Sequence, residues 1–131
     1  MKKTGSINQP VSAAIAGLGH TDRLVIADAG LPIPPGPARI DLALTAGIPT
    51  FVETLRVILT EMEVERAIVA AEMIEVSPEL YRAIQELLGQ IPIETVPHET
   101  FKAQTASARA IIRTGEFTPY ANIILVAGVV F

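Results

Sequence analysis

His20 and His98 are the chain's two histidines. Histidine is the side chain whose ordinary charge change falls near neutral pH, so either imidazole could deliver a proton and take it back. Asp28, Tyr120 and Asn122 add a carboxylate, a phenol and an amide. Together these groups suit a small polyhydroxylated ligand, with proton transfer available and no activated nucleophile. Each also has a plainer reading. His20 fits an exposed position after a helix C-terminus, where positive charge is favourable. Asp28 could accept backbone hydrogen bonds in the Ala29-Gly30 turn, and His98 could be a surface residue opening a helical stretch. Glu72 reads as structural or solvated.

Other chemistries lack their signatures. The chain has no cysteine, which removes disulfides, thiolate nucleophiles and Cys-ligated zinc. Neither histidine sits in an H-x-H or H-E-x-x-H spacing, so no metal site is expected. Ser12 and Ser107 lie outside any G-x-S-x-G context. "GLGH" and "LPIPPGP" lack the glycine spacing of a phosphate loop, and no cofactor is implied. The net charge of −4 comes without a basic cluster, which argues against nucleic acid as a partner.

The apolar content raises a separate point. Half the residues are hydrophobic, mean hydropathy is +0.43 and aromatics supply only 5%. The core must be aliphatic, and the surplus is most simply buried by contact between subunits. The run "IILVAGVVF" falls far short of the ~18 residues a membrane span needs. Asn8, Gln9 and Pro10 interrupt the N-terminal stretch before an apolar signal core develops, so it reads as a mature helix start in a cytoplasmic protein.

The positioning elements follow from the pattern. Asn8 can cap a helix over 11–18 that Gly19 stops. "RLVIA" (23–27) is a short buried strand. "LPIPPGP" holds four prolines in seven residues and must be a loop, and "RIDLAL" reads as an edge strand. Apolar residues at Phe51, Leu55, Ile58, Leu59 and Met62 have helical spacing. "RAIVAA" is a second buried strand, Ser77-Pro78 opens a helix that Gly89 ends, and "IPIETV" is a third strand. "ETFKAQTASA" is a short helix, "RAIIR" a fourth strand and "IILVAGVVF" a last, antiparallel one beginning near Ile123. The expected fold is α/β, a three-layer α/β/α single domain over residues 1–131 with a mostly parallel mixed sheet.

Ligands in such sheets gather beyond the carboxyl ends of the strands. Asp28, Glu72, His98 and Thr114 each follow a strand, and the final antiparallel strand would bring Tyr120 and Asn122 to the same edge. His20 does not fit this edge. The strand between it and Asp28 takes up ~13–17 Å at the usual rise. One site can use both only if Thr21-Asp22 folds back or a second subunit supplies one of them. A site shared between subunits is the expectation.

"LGHTDRLVIADAGLPIP", "RIDLAL", "HETFK" and "IIRTGEFTPYANIIL" together resemble the D-ribose pyranase family, relatives of the L-fucose mutarotases, from end to end. "ADAGLPIP" is similar to the ribose version, while Pro97 before His98 departs from the small polar residue expected there. The resemblance implies a cofactor-free cytoplasmic enzyme that interconverts the pyranose and furanose forms of β-D-ribose, in a homo-oligomer, a decamer of stacked pentamers. It implies that His20 is the proton donor and that Asp28, His98 and Tyr120-Ala121-Asn122 bind the sugar. Three rivals make distinct predictions. A sugar-binding module associated with ribose uptake would not need His20, a mutarotase would act on another monosaccharide such as L-fucose, and a structural oligomer would bind no sugar.

Overall fold

β-Branched and aliphatic residues dominate the strand segments and set the sheet. In a computed structural model that describes residues 1–131, the strands are β1 (Arg23–Ala27), β2 (Ala38–Asp41), β3 (Val64–Ala70), β4 (Ile93–Val96), β5 (Ala110–Arg113) and β6 (Ile123–Ala127). The helices are α1 (Gln9–Ala16), α2 (Phe51–Leu59), α3 (Glu72–Val76), α4 (Pro78–Leu88) and α5 (His98–Thr105). The six strands form one sheet in the order β2-β5-β1-β6-β3-β4. β1 pairs with β5 in parallel, as do β2 with β5 and β3 with β4, while β6 runs antiparallel between β1 and β3. Five strands therefore end at one edge, and β6 begins there.

Side-chain alternation divides the sheet into two faces. Leu24, Ile26, Ile112, Ile123 and Leu125 point into the larger core with Phe51, Leu55 and Ile58 of α2 and Leu80, Ile84 and Leu88 of α4. The i, i+4, i+8 spacing on α4 is the apolar stripe that packing against a sheet requires. Val25, Ile68, Ile111, Ile124 and Val126 face a thinner layer made by Phe101 of α5 together with Leu31 of the proline-rich loop. The three layers are thus unequal, and the proline-rich loop does part of a helix's work. Leu125 is fully buried in the central antiparallel strand. Leu125→Ala is expected to cost about 2–5 kcal/mol in urea denaturation with an unchanged m-value.

Local departures have local causes. Helix α1 is capped by the Asn8 side chain but stops at Gly17, two residues before Gly19. The Gly17 N–H bonds to the carbonyls of Ala13 and Ala14, and the Gly19 N–H is taken by the Asp22 carboxylate. Ser77 precedes α4 without capping it, because its hydroxyl donates to the Pro119 carbonyl instead (2.8 Å). The five-residue α3 fills the space between β3 and α4 and was not expected from the sequence pattern. No helix is long and apolar enough to cross a membrane.

Candidate active site

The carboxyl edge of the sheet is where the polar residues collect. Asp28 directly follows β1 and Asn122 directly precedes β6, and these strands are neighbours. Their proximity produces a reciprocal pair. The Asp28 N–H donates to Asn122 Oδ1 (2.8 Å), and Asn122 Nδ2 donates to Asp28 Oδ2 (2.9 Å). The Gly30 N–H donates to Asp28 Oδ1 (2.9 Å). Asn122 is buried while Asp28 keeps one side open to solvent. The carboxylate is therefore oriented from both oxygens before any ligand arrives.

His98 is the first residue of α5, after β4 and the extended Pro97 (φ −56°, ψ 146°). Glu72, which follows β3 by two residues, accepts from the His98 N–H (2.9 Å). This carboxylate satisfies a helix-start amide and fixes where the imidazole begins. The ring stands edge-on to Tyr120, with centroids 5.0 Å apart, and lies parallel to Phe101 at 6.3 Å. His98 Nδ1 is buried with no hydrogen-bond partner in the chain. A buried polar nitrogen left open costs roughly 1–3 kcal/mol. Asp28, Gly30, Leu31, Pro32, His98, Pro119, Tyr120 and Asn122 line a cavity of about 330 Å³. Ala121 contributes no side chain to it, since its methyl is buried in the larger core.

The turn that carries Asp28 is braced from behind. Arg113 donates from Nε to the Ala29 carbonyl (3.0 Å) and forms a two-pronged pair with Asp41 (3.1 Å to each oxygen). The Ala29 N–H donates to the Glu116 carbonyl (2.9 Å). The Glu116 carboxylate accepts from the Phe51 N–H and from Thr118. Gly115 makes this possible, because a Cβ there would stand 2.5 Å from the carbonyl oxygens of Thr45 and Ile48. Thr114 is buried and donates to the Ala27 carbonyl, so it holds β1 rather than facing the cavity. Glu72 thus has the structural role its position suggests, and Arg113 and Glu116 are supports that the sequence pattern does not mark. The only available signal was that Glu72 and Glu116 follow strands at this edge. Lys102 pairs with Glu99 one turn along α5 (2.7 Å).

His20 lies elsewhere. Its turn is held at the opposite edge of the sheet, where the Thr21 N–H donates to the Ala127 carbonyl and the Ala127 N–H to the Asp22 carbonyl (both 2.9 Å). The ring is 55% exposed and borders a second cavity of about 410 Å³ with Glu61, Glu63 and the final residues Val129, Val130 and Phe131. Of the six residues expected at the site, four line one pocket, Ala121 packs beneath it, and His20 stands apart. Two non-glycine residues adopt positive φ, Thr21 (66°) and Tyr120 (61°). Such conformations cost of order 1–3 kcal/mol and concentrate at functional sites. Here one adjoins His20 and the other lies at the Asp28 pocket.

Asp22 fixes the His20 turn. Its carboxyl is held below the ordinary 3.8 by the Gly19 N–H and by the Arg109 guanidinium (3.0 Å). A lowered folded-state value means stability that is complete at neutral pH, declines as pH falls below 3.8, and is gone below the folded value. Asp22→Asn is therefore expected to be less stable than the unsubstituted chain at pH 7. The gap should close on acidification, as chemical denaturation across that range would show.

The geometry just described has counterparts among known proteins. The chain is 59% identical over 131 residues to a D-ribose pyranase of Coprothermobacter proteolyticus, covering all of both. It is similar to the structure of Bacillus subtilis RbsD complexed with D-ribose, with a TM-score of 0.97, 50% identity and full coverage of each chain. A fucose mutarotase from Streptococcus pneumoniae in complex with L-fucose aligns with a TM-score of 0.77 at 26% identity, over 95% of each chain. The model of the RbsD / FucU transport protein family matches residues 1–130. The chain belongs to the RbsD / FucU transport protein family.

Proposed function

We propose that the chain is a D-ribose pyranase, an isomerase that interconverts the β-pyranose and β-furanose rings of D-ribose. Asp28, His98, Tyr120, Asn122 and the backbone of Ala121 bind the sugar, and His20 is the proton donor. The observation that carries this reading is the pre-oriented Asp28–Asn122 pair in a pocket of about 330 Å³ that His98 and Tyr120 also line. A carboxylate, an imidazole nitrogen and an amide fixed in this way can each take a ring hydroxyl.

The chemistry needs no more than proton transfer. Opening the pyranose breaks the bond from C1 to the ring oxygen. One proton reaches that oxygen and one leaves the anomeric hydroxyl, giving the open aldehyde. Rotation about the carbon chain then presents a different hydroxyl to C1. Reclosure moves the protons the other way, and the overall change is an isomerisation. A histidine, with an ordinary pKa of about 6.5, can serve as acid in one step and base in the next.

His20 reaches the sugar only from another subunit. The pocket lies at one sheet edge and His20 at the other, and both are bordered by exposed apolar side chains. Leu44 and Phe117 are 80% and 71% exposed near the Asp28 turn, while Val130 and Phe131 are 85% and 100% exposed beside His20. Two different surfaces meeting head to tail generate a closed ring when the rotation closes. This supports a cyclic homo-oligomer with a site at each junction; that the assembly is a cytoplasmic decamer of two stacked pentamers is what the family resemblance implies.

Saturation-transfer NMR on D-ribose tests the reaction. The protein is expected to speed exchange between the β-pyranose and β-furanose anomeric signals, with little effect on L-fucose. Exchange no faster than in buffer would overturn the assignment.

A further inference from the structure

His20 is exposed, yet one of its ring nitrogens is engaged. Nε2 lies 2.8 Å from Glu65 Oε2, a residue 45 positions away on β3. The reach depends on an irregularity. β3 pairs with β6 through Val64 with Ala127 and Arg66 with Val126, so two steps along β3 face one step along β6. Glu65 is the extra residue, and a bulge of this kind re-aims a side chain out of the regular alternation. Gly128 allows it, because a Cβ at that position would approach the Glu65 Cβ to 3.3 Å and the Glu65 backbone nitrogen to 3.4 Å.

An ionised carboxylate can only accept, so the hydrogen in this contact belongs to Nε2. The second nitrogen of an imidazole then takes the opposite role. We infer that Glu65 is a positioning residue for ring opening: it holds the Nε2–H of His20 and leaves Nδ1 as the nitrogen that exchanges protons with the sugar. The inference rests on His20 being the proton donor. In one direction imidazolium Nδ1–H gives its proton to the ring oxygen, and the neutral ring remains bonded to Glu65 through Nε2–H. Nδ1 then accepts the proton released by the anomeric hydroxyl, so the histidine ends as it began. Throughout, Glu65 keeps the ring from rotating and balances the cationic form.

The test combines ring-nitrogen NMR with kinetics on the full-length protein. With ¹⁵N-labelled histidine at mildly alkaline pH, His20 in the unsubstituted chain is expected to be the Nε2–H tautomer. In Glu65→Ala it should become a mixture of tautomers. Ring exchange in Glu65→Ala should fall at least about 10-fold, the lower end of what losing the carboxylate partner of a metal-bound imidazole costs, with the loss in kcat and KM little changed. Glu65→Gln keeps an acceptor oxygen and should restore both the tautomer and most of kcat. Unchanged tautomer populations in Glu65→Ala, or equal losses in the Ala and Gln variants, would overturn the role of Glu65. If His20→Ala were fully active, the assignment of His20 itself would fail. If His20→Ala is inactive and Glu65→Ala is normal, only the role of Glu65 fails.

Discussion

His20→Ala is expected to lower ring exchange by about 10²- to 10⁴-fold, the contribution of a positioned general acid or base. The same substitution should leave folding and sugar affinity nearly intact. The ring is 55% exposed and its one hydrogen bond is to Glu65, while the groups proposed to hold the sugar's hydroxyls line the Asp28 pocket. Loss of a surface imidazole is normally worth less than about 0.5 kcal/mol in stability. The expected pattern is a large fall in kcat with ribose binding retained by calorimetry. A binding module would show the retained affinity without any activity to lose. A variant with full exchange activity would remove His20 from the chemistry.

Asn122→Ala should damage both stability and activity. Asn122 is buried and engages Asp28 twice, accepting from its backbone N–H and donating to its carboxylate. Truncation leaves a buried N–H unpaired and opens a small void, at a cost of about 3 kcal/mol in denaturant unfolding. The Asp28 carboxylate also loses the contact that holds it toward the pocket. A misplacement of about 1 Å at a catalytic site can cost 10²-fold, so exchange should fall by about that factor or more. Thermal unfolding and ribose titration together check the prediction. A variant with normal affinity and stability would show that the Asp28–Asn122 pair does not build the site.

Much of this arrangement was legible in the sequence, and the reasons are local. "RLVIA" is bounded by a charged residue and an Asp-Ala-Gly turn, and β1 occupies those five residues. Four closely spaced prolines leave no choice but a loop. The antiparallel sense of β6 brought Tyr120 and Asn122 to the edge that Asp28 and His98 already occupied. The separation of His20 from Asp28 followed from strand rise alone.

What was not legible depended on contacts between distant residues. Ser77-Pro78 has the composition of a helix cap, but tertiary structure diverts the serine hydroxyl to Pro119. Gly19 resembles a helix stop, yet its N–H serves Asp22 and the helix ends at Gly17. Glu72 and Glu116 are acidic residues after strands, like Asp28. Only the fold shows that one caps His98 and the other stitches Phe51 and Thr118. The bulge that turns Glu65 toward His20 leaves no mark in the residue pattern: the strand is expected over "RAIVAA", whereas β3 begins two residues earlier, at Val64.

The central claim is that each site joins His20 of one subunit to the Asp28 pocket of another. Co-refolding two inactive variants, His20→Ala and Asp28→Ala, tests it directly. With equal amounts and random mixing, half the junctions draw an intact His20 and half draw an intact pocket. About a quarter then carry both, so the mixture should regain about a quarter of the unsubstituted activity. A mixture as inactive as its components, although the subunits have exchanged, would place His20 and Asp28 of one chain in one site and contradict the account.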